Sequence, residues 1–138
     1  MGPGLVGQEH RLILDSGAVI GYSRGHRKVV ALLTEAARRG RDVVVPPVVL
    51  TQTLRGGARD TPIYRLLGGC TVPLVDQRIA RLAGELLGRT GGSDVADAQI
   101  AAEAVDGPSC AILTGDMADL TELVGSHAHV KVVDLDTL

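Results

Sequence analysis

Three aspartates are the residues of this chain whose type and position best suit chemistry. Asp15 follows the short apolar run at residues 12–14, and Asp116 comes just after a second apolar run at residues 110–113. If both runs are strands of one parallel sheet, both acids lie at its carboxyl-terminal edge, where such sheets bind ligands. Asp97 lies in a predicted helix among small apolar residues, where an unpaired carboxylate would be costly if buried. We therefore predict that these three carboxylates converge.

A cluster of carboxylates predicts a bound cation. Crowded negative charges repel one another, so they need raised pKa values or a cation between them. Oxygen-only ligands favour Mg²⁺ or Mn²⁺ over zinc. Such a metal activates water and stabilises the charge that grows on a phosphodiester during hydrolysis. The pattern predicts a metal-dependent nuclease, with Asp15, Asp97 and Asp116 as catalytic residues and metal ligands.

Single aspartates also have structural alternatives. Asp116 can serve as the N-cap of the last helix, with Asp119 in its first turn. Asp94 lies three residues before Asp97, so it either shares a helix face with it or complements the helix dipole beside Ser93. Asp94 and Asp119 are therefore candidates both for an extended metal shell and for simple helix caps.

The elements that must position these acids follow from composition and periodicity. The chain has 138 residues, of which 45% are hydrophobic and 1% aromatic, so Val, Leu, Ile and Ala must build the core of one domain. Apolar runs and helical periodicity alternate along it, which predicts an α/β fold with helices on both faces of a mainly parallel sheet of about five strands. We expect a flexible start at residues 1–10 and a single domain at residues 11–138. The predicted strands are residues 12–14, 43–45, 71–75, 110–113 and 130–133, and the predicted helices are residues 28–39, 48–54, 61–67, 77–87, 93–104 and 117–124.

Several other classes of protein lack support in the sequence. The only cysteines, Cys70 and Cys110, have no zinc-ligand spacing, and a net charge of −2 argues against a generic polyanion binder. There is no phosphate-loop motif for nucleotide hydrolysis. A phosphoreceiver domain would need an early pair of adjacent acids and a late lysine. The apolar runs are too short for a membrane span, so we expect no membrane association and a cytoplasmic location.

Three segments together resemble the motifs of a known family. Residues 12–16, 93–101 and 113–120 are similar, in order and spacing, to the PIN-domain motifs of VapC-type toxins. The resemblance implies a three-layer α/β/α sandwich in which Asp15, Asp97 and Asp116 take the family's acidic positions. It also implies that Thr114 and Ser16 support the acids through their hydroxyl groups.

One position departs from the family pattern. The family usually carries a glutamate in the helix after the second strand, and this chain offers Gln52 there. An amide keeps an acceptor oxygen but lacks the negative charge, so Gln52 can hold a metal-bound water while weakening affinity for the cation.

The resemblance implies a biological setting. It implies an endoribonuclease toxin of a toxin–antitoxin pair that cleaves cellular RNA, forms a homodimer and is inhibited by a cognate antitoxin protein. The alternative is a PIN-like module that has lost efficient catalysis and binds protein or RNA.

Overall fold

The computed structural model describes residues 9–138. Residues 1–8, which make up most of the predicted flexible start, lie outside the described residues. The strands are β1 (Arg11–Leu14), β2 (Asp42–Val44), β3 (Cys110–Thr114) and β4 (Val130–Asp134). The α-helices are α1 (Ser16–Ser23), α2 (Arg27–Arg38), α3 (Pro47–Thr53), α4 (Thr61–Leu67), α5 (Gln77–Thr90), α6 (Val95–Asp106) and α7 (Met117–Val124), and short 3₁₀ turns occur at Ala58–Asp60 and Leu135–Thr137.

The four strands form one parallel sheet in the order β2-β1-β3-β4. β1 lies between β2 and β3, and Leu14 is paired with Leu113. Both β1 and β3 are buried along their whole length, as expected of parallel strands covered by helices. Because β1 and β3 are adjacent and parallel, the residues that follow them emerge at the same edge of the sheet.

The prediction of a PIN-like three-layer sandwich with about five strands is wrong. Residues 71–75, predicted as the third strand, form only an isolated bridge between Thr71 and Val44. Pro73 has no backbone N–H to donate to a ladder, and Leu74 is 91% exposed. The described chain is instead a small α/β fold with four parallel strands and seven α-helices.

Helix α6 is the most deeply buried helix that carries a predicted site residue. Ile100, Ala101, Ala102 and Ala104 are at most 1% exposed. It packs against α5, α7 and α3, and also contacts β3. Small side chains on several faces allow these close approaches, and a helix that is apolar nearly all round must be buried. Packing therefore fixes the position of α6 relative to the sheet.

The carboxyl-terminal end of α6 is tied to β1 by a buried arginine. Arg11, the first residue of β1, is 5% exposed. Its guanidinium donates hydrogen bonds to the carbonyl oxygens of Glu103 (3.2 Å), Ala104 (3.1 Å) and Pro108 (2.6 Å). The last carbonyls of a helix have no partner within the helix, and the helix dipole favours a cation beside them. Arg11 satisfies both requirements.

Across residues 9–138, no helix is both long enough and apolar enough to cross a membrane.

Candidate metal centre

Asp15 joins three elements at the carboxyl edge of the sheet. It is the N-cap of α1, and its Oδ1 accepts a hydrogen bond from the backbone N–H of Ala18 at 2.9 Å. Its Oδ2 accepts from the hydroxyl of Thr114 at 2.6 Å and from the N–H of Gly115 at 3.2 Å. These three bonds connect the end of β1, the start of α1 and the end of β3. The Asp15 carboxylate therefore already has structural partners on both oxygens.

The side chain of Thr114 connects Asp15 to the next acid, Asp116. Its side chain is fully buried, and while its hydroxyl donates to Asp15 it accepts a hydrogen bond from the backbone N–H of Asp116 at 2.7 Å. The hydroxyl of Thr114 thus links the Asp15 carboxylate to the backbone of Asp116. Ser16 is the first residue of α1, and its side chain makes no hydrogen bond to any other described residue.

Asp97 is the acid most affected by its surroundings. It lies in the first turn of α6 and is only 8% exposed. Its Oδ2 is buried and has no hydrogen-bond partner within residues 9–138. Burial, followed by the negative charges of Asp94, Asp116, Asp119 and Asp15, raises its pKa from its ordinary value to about 7. A buried oxygen with no partner is the kind of atom that a cation or a proton must satisfy.

Asp94, and not the predicted Ser93, is the N-cap of α6. Its Oδ1 accepts a hydrogen bond from the N–H of Asp97 at 3.0 Å. Asp94 therefore has the capping role that the sequence left open, and at the same time it adds negative charge beside Asp97. The spacing of three residues therefore lets Asp94 both cap the helix and act electrostatically on Asp97.

Asp116 and Asp119 complete a group of three carboxylates. One oxygen from each of Asp97, Asp116 and Asp119 lies within 4.8 Å of the others. The neighbouring charge of Asp116 is the main cause of a raised pKa at Asp119. Asp116 immediately precedes α7, but its side chain makes no capping hydrogen bond among the described residues. Its capping alternative is therefore absent, and its carboxylate is free to face the cluster.

The donor set fits a small, hard divalent cation. The three grouped ligands are carboxylate oxygens, which suit Mg²⁺ or Mn²⁺, and the unpartnered Oδ2 of Asp97 provides a buried atom that needs a positive charge. The closest group contains Asp119 in place of the predicted Asp15. Asp15 accepts hydrogen bonds on both of its oxygens, and its negative charge is near enough to contribute to the raised pKa of Asp97.

Gln52 has an unsatisfied oxygen of its own. It lies on α3, which packs against α6, and its Oε1 is buried without a hydrogen-bond partner in the described part of the chain. An amide oxygen can accept a hydrogen bond from a metal-bound water but contributes no charge.

Arg38 and Arg39 belong to a solvated helix face. Both donate hydrogen bonds to Glu35 one turn earlier on the helix. Such exposed pairs contribute little to stability. The carboxylate of Glu35 therefore compensates one of these two positive charges.

The chain matches no protein-family model and no curated protein. Among solved structures it is similar to a chain of VapBC2 from Rickettsia felis, a complex bound to a DNA fragment from its promoter. The TM-score is 0.69 and the identity 13%, with 91% of this chain and 99% of that chain covered. It is also similar to a chain of FitAcB from Neisseria gonorrhoeae. There the TM-score is 0.63 and the identity 21%, with 92% of this chain and 99% of that chain covered.

The assignment to VapC-type PIN toxins is corrected by these findings. No family model supports it, and the similar structures are toxin–antitoxin complexes whose low identities show a common fold alone. The motifs behind the assignment are short stretches of small and acidic residues at strand ends and helix starts, and a parallel α/β sheet accommodates such stretches at its carboxyl edge for structural reasons as well. What the comparisons establish is that this chain shares its fold with proteins of toxin–antitoxin systems.

Proposed function

We propose that this chain is a metal-dependent endoribonuclease that hydrolyses phosphodiester bonds of single-stranded RNA and acts as one partner of a toxin–antitoxin pair. The observation that carries the proposal is the buried, unpartnered Oδ2 of Asp97 in a group that places carboxylate oxygens of Asp97, Asp116 and Asp119 within 4.8 Å. A fold needs no such arrangement for its stability, because uncompensated like charges destabilise it.

The residues of the site divide into proposed metal ligands and residues that position them. Asp97, Asp116 and Asp119 would hold Mg²⁺ or Mn²⁺. Such a cation, when bound, supplies Lewis-acid stabilisation and lowers the pKa of water. Asp15 fixes the start of α1 and orients Thr114, and Thr114 orients the backbone of Asp116. Gln52 offers an acceptor oxygen from the neighbouring helix α3. Because the pKa of Asp97 is about 7, its carboxyl releases a proton when it takes up a cation near neutral pH.

The biological setting is supported by the shared fold. The solved structures similar to this chain belong to the VapBC2 and FitAcB complexes, and VapBC2 is bound to promoter DNA. On the basis of this shared fold we propose that the chain assembles with a cognate partner protein. We further propose that this partner would control access to the acidic cluster and that the chain forms a homodimer.

The first test is cleavage of a mixed RNA pool. The purified chain is incubated with Mn²⁺ or Mg²⁺, and then with EDTA, alongside the Asp97→Asn variant. We expect cleavage that EDTA abolishes and that the variant reduces at least about 100-fold, because Asn removes the charge that binds the cation. Asp76→Asn is a control, since Asp76 caps α5 in the same way that Asp94 caps α6 but lies outside the cluster. An undiminished rate in Asp97→Asn would refute the site.

A second candidate function is RNA or protein binding without turnover. It is favoured by the neutral Gln52 at a position where an acid would strengthen a metal site. Filter binding with RNA and DNA oligonucleotides in the presence of EDTA separates the two functions. Binding that needs no metal, together with no cleavage in any metal, would support the binding module.

A further inference from the structure

Arg11 and the acidic cluster lie at opposite ends of the same two elements. Arg11 begins β1 and Asp15 follows its last residue, so about 13 Å of extended strand separates them. Helix α6 covers a similar distance, about 10 Å, between Asp97 and Ala104. Asp97 faces the cluster at one end of this helix, while the carbonyl of Ala104 binds Arg11 at the other.

The contact between Arg11 and α6 uses both terminal nitrogens of the guanidinium, while its Nε is buried without a partner among the described residues. Three hydrogen bonds from one guanidinium reach carbonyls on both sides of the helix terminus, at Glu103, Ala104 and Pro108. The carboxylate of Glu103 lies 4.0 Å away and balances the buried charge. A slide or a rotation of α6 would break at least one of these bonds, because they are made from a rigid, planar group.

Gly107 leaves the space in which the guanidinium of Arg11 lies. A Cβ at Gly107 would lie 2.6 Å from the Cζ and Nη2 atoms of Arg11, closer than a Cβ atom normally approaches another heavy atom. The backbone of Gly107, with φ −106° and ψ −167°, is one that any residue adopts. Glycine is therefore needed here for the space that the guanidinium occupies and not for its conformational freedom.

The opposite end of α6 needs such an anchor. Asp94 and Asp97 face Asp116 and Asp119, and like charges push the first turn of α6 away from the β3–α7 turn. Asp97 must nevertheless stay within 4.8 Å of both partners to share a cation with them. A shift of one helical residue, about 1.5 Å, would disturb that spacing.

We infer that Arg11 is a positioning residue for the metal centre: by fixing the far end of α6 against β1, it holds Asp97 in the carboxylate group. This inference rests on the proposed function, and it adds a residue that touches neither the cation nor the RNA. Its effect passes along the rigid body of the helix.

The test measures Mn²⁺ affinity from the electron paramagnetic resonance signal of the free ion. Arg11→Met keeps the side chain's length and removes its donors, and we expect Mn²⁺ binding to weaken about tenfold, as for other residues that orient metal ligands. Arg11→Lys retains donors for the carbonyls and should recover most of that loss. Gly107→Ala should weaken binding when Arg11 is present but have no further effect in Arg11→Met.

A structural control and a metal-free readout make the outcomes distinct. Leu66→Ala creates a cavity beneath α4, a helix that packs mainly against α1, and should lower Tm without changing any residue of α6 or its Arg11 anchor. Amide hydrogen exchange at residues 95–98, measured without metal, should accelerate in Arg11→Met and stay unchanged in Leu66→Ala. Faster exchange confined to residues 103–108, with wild-type Mn²⁺ affinity, would overturn the inference. Absence of Mn²⁺ binding to the wild-type chain would refute the proposed function, and the exchange measurement would still decide the role of Arg11.

Discussion

The two ends of helix α6 are built in opposite ways. At its carboxyl-terminal end, a buried arginine pairs with backbone carbonyls and a nearby glutamate, so every charge has a partner. At its amino-terminal end, Asp97 is buried near four further acids, and one of its oxygens has no partner among the described residues. The same helix therefore has one end at which the buried charge is paired with an opposite charge of the protein, and one end at which the buried charges need a cation or a proton. Such a difference separates the part of a fold that provides stability from the part that provides function.

Three variants probe the acidic cluster at the amino-terminal end of α6. Thr114→Val is expected to have the largest effect of the three. Valine keeps the shape but removes the hydroxyl, so the N–H of Asp116 loses its acceptor and Asp15 loses a donor. We expect about 1 to 3 kcal/mol of lost stability from these buried groups, and at least about a tenfold loss of cleavage. Chemical denaturation and single-turnover cleavage measure the two effects.

Thr34→Val is the matched control for that substitution. Thr34 is exposed on α2, and its hydroxyl bonds only the carbonyl of Val30 in its own helix. Equal effects of the two valine substitutions on cleavage would mean that Thr114 has no special connection to the cluster.

Gln52→Glu should add negative charge beside the acidic cluster, so that the cluster binds the cation more tightly. We expect Mn²⁺ affinity to rise about three- to tenfold, because affinity increases with ligand charge. Titration calorimetry with Mn²⁺ measures the change. Gln77→Glu, at the exposed start of α5, controls for net charge. Unchanged affinity in Gln52→Glu would remove Gln52 from the surroundings of the cation.

The smallest expected effect is that of Asp97→Asn on the pH dependence of folding stability, measured without metal. The pKa of Asp97 is raised to about 7 in the folded chain, so the folded state binds more protons than the unfolded state between about pH 4 and 7. Wild-type stability should therefore fall as pH rises through this window. Asp97→Asn has no proton to lose, so its advantage in the free energy of unfolding should grow with pH, to about 1 to 2 kcal/mol at pH 8, because solvent screening keeps the effect below that of the full shift.

Calorimetry in EDTA across this pH range provides the measurement for Asp97→Asn. Added Mg²⁺ should abolish the advantage, because the cation stabilises only the wild-type cluster. A constant difference in Tm from pH 4 to 8 would mean that the buried carboxylate does not titrate in this range.

Local sequence patterns predicted most of the helices and four of the strands. Helix α4 occupies residues 61–67 as predicted from its periodicity, and α2 begins and ends within one residue of the prediction. The prediction of a third strand at residues 71–75 was wrong. Its apolar residues resemble a buried strand, but Pro73 and the exposed Leu74 make it an extended surface segment beside β2. Periodicity reports apolar residues and not whether a neighbouring strand is available to pair.

The site was predictable only as far as strand ends could be recognised. Asp15 and Asp116 follow β1 and β3, so sheet topology brings them to one edge. The closer grouping of Asp97 with Asp119 depends on how α6 and α7 pack, which no local pattern encodes. Arg11 carried no signal either, because a charged residue at the start of a strand looks exposed until its partners, more than 90 residues away, are known.

The central position of β1 has a consequence for the timing of synthesis. The bond between Thr114 and Asp15 spans 99 residues, and β1 has no β3 beside it until most of the chain has been translated. A nascent chain can pair β1 with β2 early, but the second edge of β1 stays open until residues 110–114 leave the ribosome. The acids of the proposed metal centre are therefore brought together only after residues 110–119 have been synthesised, so a shorter nascent chain has no formed centre.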